Sequence, residues 1–286
     1  KAIEYYNLSI KVDPNYSDSY TNRAIIYDKI GERDKALDDY NKSIELEPEI
    51  ASYYTNRGLF YYDEEQWELA LADYQKALEL DPDEKDHYFQ IAYIYGVLNQ
   101  FDNAISFYIQ CLDKFGPDAI VYANIGILYA NSLQNYDKAI EYYNLAIQTD
   151  TNHSDSYRQR AVAYYYIGEM DKALEDFTKA IELKPEIDYY YLGRAQTYKI
   201  EEQWELALAD YQKALELNPN EKDHYFQIAY IYQILNQFDN AISFYMQYLD
   251  KFGPEALAYY NIGIIYYESL KDYDKAIEYY NLSIKV

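Results

Sequence analysis

Glu64–Leu80 reads EEQWELALADYQKALEL, and Glu201–Leu217 reads the same residues again. The displacement is 137 residues, and it also carries KDHYFQIAYIY at Lys85–Tyr95 onto Lys222–Tyr232. Inside the first copy, Trp67, Ala70, Leu71, Tyr74, Ala77 and Leu78 fall at the i, i+3, i+4, i+7 spacing of an amphipathic helix. Asp81-Pro82 follows, and a proline that has no N–H and restricts its predecessor predicts the helix end there.

The rest of the chain is built from relatives of this stretch. Windows beginning at residues 17, 51, 85, 119, 154, 188, 222 and 256 align with one another, most at a period of 34 residues. The window 119–153 is one residue longer, near Ser132–Asn135, and 256–286 carries a similar insertion. Position 4 of every window is tyrosine, from Tyr20 to Tyr259, and position 11 is tyrosine again, from Tyr27 to Tyr266. Position 8 is alanine or glycine, position 20 is alanine, position 24 is tyrosine or phenylalanine, and a proline closes most windows.

This pattern resembles the tetratricopeptide repeat, whose period and small–aromatic–Ala–aromatic–Pro order it follows over essentially the whole chain. The resemblance implies an all-α solenoid of helix-turn-helix units in a right-handed superhelix, the first helix of each unit lining a groove. The physical logic is plain: small residues at positions 8 and 20 permit close helix approach while aromatics fill the space around the contact. Each helix alone is marginal, so stacking supplies the stability. The expected organisation is one array over 1–286, with a partial unit at 1–16 and units at 17–50, 51–84, 85–118, 119–153, 154–187, 188–221, 222–255 and 256–286.

Position 7 departs from the pattern. It is Arg23, Arg57, Arg160 and Arg194 in four units, and in those same units position 23 is Asp39, Asp73, Asp176 and Asp210. The other four pair Ile91, Ile125, Ile228 and Ile262 with Phe107, Tyr142, Phe244 and Tyr279. The covariation within units predicts an ion pair inside each of four hairpins and an apolar contact in the rest. Tyr248, in a slot where Ala or Ser is usual for the family, is expected to splay the stack locally.

Above the units stands the 137-residue period, giving super-repeats 1–137 and 138–274 and a third copy from 275. Lys1–Val12 and Lys275–Val286 both read KAIEYYNLSIKV. Exposed positions repeat along with buried ones, so the chain is expected to be a window of a longer periodic array. Self-association into a helical filament is the function expected first, and a soluble adaptor for an extended peptide is the alternative. The filament would place the protein outside the cell and the adaptor in the cytoplasm.

A formal charge of −24 disfavours nucleic acid, whose phosphates need a basic face, and favours neutral or basic protein partners. No segment is long and apolar enough to insert in a membrane. No catalytic residue, metal ligand or cofactor motif emerges, so no enzyme and no cofactor are expected. His87, His224 and His153 are expected at the surface, the acidic runs Asp63–Glu65 and Asp81–Asp86 as solvated turns, and Cys111 as a small buried residue.

The candidate site is the groove implied by the resemblance. Position 6 faces it and reads Asn22, Asn56, Gln90, Asn124, Gln159, Gly193, Gln227 and Asn261, a ladder of amides able to pair with an extended backbone. Neighbouring groove positions carry Tyr62, Phe89, Tyr93, Tyr165, Phe226, Tyr230, Tyr260 and Tyr267, a recognition surface of large area and low entropy cost. The family's carboxylate clamp of groove cations is not matched, because only Lys29, Arg158 and Lys199 are scattered there.

Overall fold

A computed structural model describes residues 1–286, and the chain is helical throughout, without strands. It divides into two compact units, Lys1–Leu133 and Gln134–Val286. The first holds α1 (Ala2–Val12), α2 (Ser17–Lys29), α3 (Arg33–Leu46), α4 (Ala51–Asp63), α5 (Trp67–Leu80), α6 (Lys85–Val97), α7 (Phe101–Phe115) and α8 (Ala119–Ile127). The second holds α9 (Tyr136–Thr149), α10 (Ser154–Tyr166), α11 (Met170–Leu183), α12 (Asp188–Ile200), α13 (Trp204–Leu217), α14 (Lys222–Ile234), α15 (Phe238–Phe252), α16 (Ala256–Ile264) and α17 (Tyr273–Lys285). Consecutive helices pair as antiparallel hairpins, α2 with α3 and α4 with α5 in the first unit, α10 with α11 and α12 with α13 in the second.

The turn is made the same way in the six hairpins without an insertion. One residue takes the left-handed conformation, which glycine adopts freely at Gly31 and Gly168 and which Glu65, Asn99, Glu202 and Asn236 adopt against their Cβ. The next N–H then reaches back to the position-11 carbonyl, as Glu32 to Tyr27 and Gln66 to Tyr61, both at 2.8 Å. This satisfies a carbonyl the helix end would otherwise orphan. The inserted residues of the two longer windows are absorbed as π-helical turns, Leu128–Ser132 and Ile265–Leu270, extending α8 and α16.

Helix contact centres on the small residues. Ala24, Ala36, Ala70, Ala195 and Ala207 are wholly buried. A Cβ on Gly58 would stand 3.4 Å from Asp73 Cβ and from the Tyr74 ring, showing how closely α4 approaches α5. The position-24 rings Tyr40, Tyr74, Tyr143, Phe177 and Tyr211 fill the core, whereas most tyrosines at positions 4 and 11 are only half-buried. The position-4 hydroxyl has a separate task. It donates to the carbonyl of the proline that ends the preceding unit, Tyr20 to Pro14 at 3.0 Å and Tyr191 to Pro185 at 3.1 Å. Tyrosine and proline are therefore coupled by the inter-unit turn.

Tyr248 does not splay its surroundings. It is 4 % exposed, with ring centroids 4.8 Å from Phe226 and 5.1 Å from Phe252, so its volume is taken up by an aromatic cluster between α14 and α15. Cys111 occupies the matching place on α7 and is buried.

Candidate functional site

The four arginine–aspartate hairpins share one geometry. Arg23 Nε donates to Asp39 Oδ2 and its Nη2 to Asp39 Oδ1, each at 2.7 Å. Arg57–Asp73, Arg160–Asp176 and Arg194–Asp210 repeat the fork at 2.7 to 2.8 Å. The third guanidinium nitrogen crosses to the preceding helix, reaching Asn7, Asn41, Asn144 and Thr178 in turn. Each guanidinium also lies over the tyrosines at positions 4 and 11, as Arg57 over Tyr54 at 5.9 Å and Tyr61 at 5.8 Å. One cation thus ties three helices and two rings, with all three of its nitrogens bonded within the scaffold. Such a group is committed first to the scaffold.

The apolar hairpins replace this device by stacking. Ile91 and Ile228 are fully buried, and Phe107 and Phe244 lie 5.5 Å from Tyr95 and Tyr232.

The position-6 amides do not form a uniform open ladder. Asn22 Nδ2 donates to the Asp18 carbonyl of its own helix at 2.8 Å. Asn124 and Asn261 bond the hydroxyls of Tyr108 and Tyr245, buried phenols that desolvation pushes up to about 12 against the opposing effect of those bonds. Lys199 Nζ donates to Gln227 Oε1 at 2.9 Å. A Cβ on Gly193 would overlap the Phe177 ring, the one position-24 ring without a hydroxyl for an amide to bond. Gln159 is half-buried on α10, while Asn56 and Gln90 line a cavity described below. The core tyrosines hold part of the ladder because a buried phenol requires a partner.

The aromatics expected in the groove mostly find partners on the same face. Tyr62 lies 5.2 Å from Trp67 and 5.7 Å from Tyr93, and Phe89 packs edge-on to Tyr108 at 5.9 Å. Tyr165 meets Tyr166, Tyr260 meets Tyr280, and Tyr267 meets Tyr273. Tyr93, Tyr230, Tyr260 and Tyr267 still leave 43 to 52 % of their surface exposed, which is the area a partner would cover. In the second unit Phe226, Gln227, Tyr230, Asn261 and Tyr245 converge with Lys199 and Gln233 around a depression of about 290 Å³.

Two further cavities centre on histidines that sequence reasoning placed at the surface. His87 and His224 are 3 % and 1 % exposed. Their side chains project between the first helices of adjacent hairpins, α4 and α6 in one case, α12 and α14 in the other. The first cavity, about 350 Å³, is lined by Asn56, Asp81, Glu84, Asp86, His87 and Gln90 among others; the second, about 500 Å³, by Asp188, Asn218, Glu221, Asp223, His224 and Gln227 among others. Their shared core, Glu-x-Asp-His-x-x-Gln, lies in a segment identical in the two super-repeats. That identity, across a turn that packing alone would let drift, was the available signal. No group of three or more side chains converges as a metal site, and no helix is long and apolar enough to cross a membrane.

Comparison with known proteins now has this geometry to explain. Profiles described as tetratricopeptide repeat match residues 17–50, 51–84, 154–187 and 189–221, a second set matches 73–106 and 210–243, and a third matches 119–153 and 256–286. The chain is a tetratricopeptide-repeat protein. A search of curated proteins found no sequence match. Among solved structures, the C-terminal part of a tetratricopeptide repeat-containing protein from Cytophaga hutchinsonii superposes with a TM-score of 0.68 at 24 % identity, over 83 % of this chain and 97 % of that one. YrrB, described as a tetratricopeptide-repeat protein with an unusual peptide-binding site, gives 0.51 at 24 % identity over 64 % and 94 % of the two chains. PilF of Pseudomonas aeruginosa gives 0.58 at 22 % identity over 73 % and 94 %. These likenesses are of fold. Tetratricopeptide repeats serve as scaffolds for protein–protein contacts, and no enzymatic family is indicated for this chain.

Proposed function

We propose that this tetratricopeptide-repeat protein is a non-catalytic adaptor that holds an extended, net basic protein segment against the first helices of its hairpins. The observation that carries the reading is the convergence of Phe226, Gln227, Tyr230 and Asn261 on one depression, with half-exposed tyrosine rings beside free amide valences. Rings of this kind bury large area without much loss of side-chain freedom, and the amides supply backbone donors and acceptors irrespective of sequence. The charge of −24 adds long-range attraction for a basic segment. Peptides selected from a library on the purified protein provide the test. Tyr230→Ala, at a ring 43 % exposed, should weaken the selected peptides about tenfold without altering helicity. Unchanged binding by Tyr230→Ala together with Tyr260→Ala contradicts the reading.

Filament assembly of a longer array is the second reading. It rests on the 137-residue period, whose repetition extends to the exposed segment around Asp86 and Asp223. The comparisons lend it no support. Electron microscopy of concentrated protein decides it: fibres with a regular axial repeat support assembly, and a monodisperse species near 34.0 kDa without fibres ends it.

A further inference from the structure

The His224 cavity is a built space with an unmet hydrogen-bonding demand. Neither ring nitrogen of His224 has a partner, although the residue is 1 % exposed. A buried imidazole normally satisfies at least one nitrogen, because leaving it bare incurs the full desolvation cost with no bond to offset it. Burial also pushes His224 below its ordinary value, with Glu221, Asp188 and Asp223 opposing that shift, so the ring is neutral near pH 7 and presents one lone pair. The lining brings three carboxylates, Asp188, Glu221 and Asp223, and no cation. Asp188 accepts a bond from Asn218 at 2.9 Å, and Glu221 one from the Asp223 N–H at 3.4 Å, so each carboxylate retains free lone pairs. Two cations sit against lining residues without themselves lining the cavity: Arg158 lies over the Tyr189 ring at 5.4 Å, and Lys199 is bonded to Gln227. The remaining walls are Tyr189, Leu192 and Gln196.

The His87 cavity shares the Glu, Asp, His and Gln of this lining but has Ala51, Ser52, Thr55, Leu59 and Asp81 where the other has Asp188, Tyr189, Leu192, Gln196 and Asn218. Thr55 Oγ1 donates to the Ala51 carbonyl at 3.1 Å and sits 2.8 Å from His87 Nε2, which therefore carries the proton and leaves Nδ1 as a bare acceptor. Leu192 stands where Thr55 would be, freeing the second nitrogen of His224.

We propose that the His224 cavity binds the basic side chain of a partner, an alkylammonium or guanidinium, its N–H groups donating to the imidazole and to Asp188, Glu221 and Asp223 while Tyr189 and Leu192 flank its aliphatic stem. A side chain presented by an extended segment rests on the adaptor reading above; the site itself does not. The bare imidazole acceptor asks for a donor, the carboxylates ask for positive charge, and a lysine or arginine stem suits a half-apolar wall. His87, with its single free acceptor and smaller cavity, is the weaker site of the same chemistry.

Labelled-histidine NMR tests this directly, since the chain has only 3 histidines to assign. The probes are acetyl-lysine methylamide, acetyl-norleucine methylamide, and blocked ten-residue Gly-Ser peptides carrying one central lysine or norleucine. The lysine probes should shift the His224 ring resonances and the norleucine probes should not. Glu221→Gln with Asp223→Asn, at exposed positions that leave the helix start its side-chain acceptor, should weaken the lysine effect at least tenfold. Equal shifts from norleucine, no shift from lysine, or an unaffected double variant overturns the proposal. If acetyl-lysine methylamide shifts His224 while neither peptide perturbs Phe226 or Tyr230, the cation site stands and the adaptor reading falls. If the norleucine peptide binds along Tyr230 as well as the lysine peptide does, the groove receives an extended segment, but the cation site falls and with it the preference for a basic partner.

Discussion

Arg57→Ala removes a guanidinium from the middle of α4 and leaves Asp73, 5 % exposed, facing apolar rings. The residue lost makes two charge-assisted bonds of 2.7 Å to Asp73, a bond of 2.6 Å to Asn41, and contacts over two tyrosine rings. Bonds to charged groups contribute about 1.5 to 3 kcal/mol each, and stranding a buried charge by removing its partner costs about 3 to 5 kcal/mol in all. Because the Arg57 side chain is 20 % exposed, part of that falls to solvent screening, and about 3 kcal/mol is the expected loss. Asp73→Ala should cost less, since Arg57 can turn its head group to water whereas Asp73 has no such exit. The chain itself supplies the rescue: Ile91 and Phe107 occupy the same two positions one hairpin later. Arg57→Ile with Asp73→Phe should therefore recover most of the loss. Urea unfolding followed by circular dichroism, with hydrogen exchange of α4 and α5 to localise the effect, measures all four proteins. A loss under about 1 kcal/mol for Arg57→Ala, or a swap no better than the single variant, would refute the view of these pairs as interchangeable hairpin locks.

Three further outcomes are expected. Gly193→Ala should destabilise by about 1 to 3 kcal/mol because its Cβ overlaps the Phe177 ring, and Phe177→Leu should relieve it in thermal melts. Glu65→Gly and Glu202→Gly, at left-handed positions with φ of 56° and 54°, should each raise stability by up to about 1 kcal/mol in urea titrations, and a loss instead would show that the carboxylates act in the turn. Tyr40 is raised in the folded state from 10.0 to about 12 by burial, so the stability it supplies is whole below pH 10 and is lost as pH rises through about 12. That shift corresponds to roughly 3 kcal/mol, and Tyr40→Phe should flatten the alkaline limb of the stability profile.

The repeat fold was legible because each structural demand recurs at a fixed interval. Small residues at two positions, a ring at a third and a proline at the boundary can only be read as a stacked hairpin once they recur. The pairing of Arg57 with Asp73 was legible for the same reason, since a charge buried on one helix requires its counter-charge on the other. The site was harder. His87 and His224 were read as surface residues because one polar side chain in a charged turn carries no periodic signature, and only the packing of adjacent hairpins encloses it. Asn124 and Asn261 were read as free amides because the phenols that bond them, Tyr108 and Tyr245, lie in the preceding unit, where the sequence shows merely a core aromatic. The link was visible at one point: the pairing of Gly193 with Phe177, where amide and hydroxyl disappear together. Tyr248 was read as a defect because its accommodation depends on Phe226 and Phe252 together.

The central claim is that the first helices, and not the second, receive a basic extended segment. Amide and side-chain NMR of the protein with its best library-selected peptide tests it in one measurement. The peptide should be rich in lysine or arginine, with perturbations concentrated at Phe226, Gln227, Tyr230 and Tyr260 and at His224. A selected peptide without basic residues, or perturbations confined to α11 and α13, would contradict it.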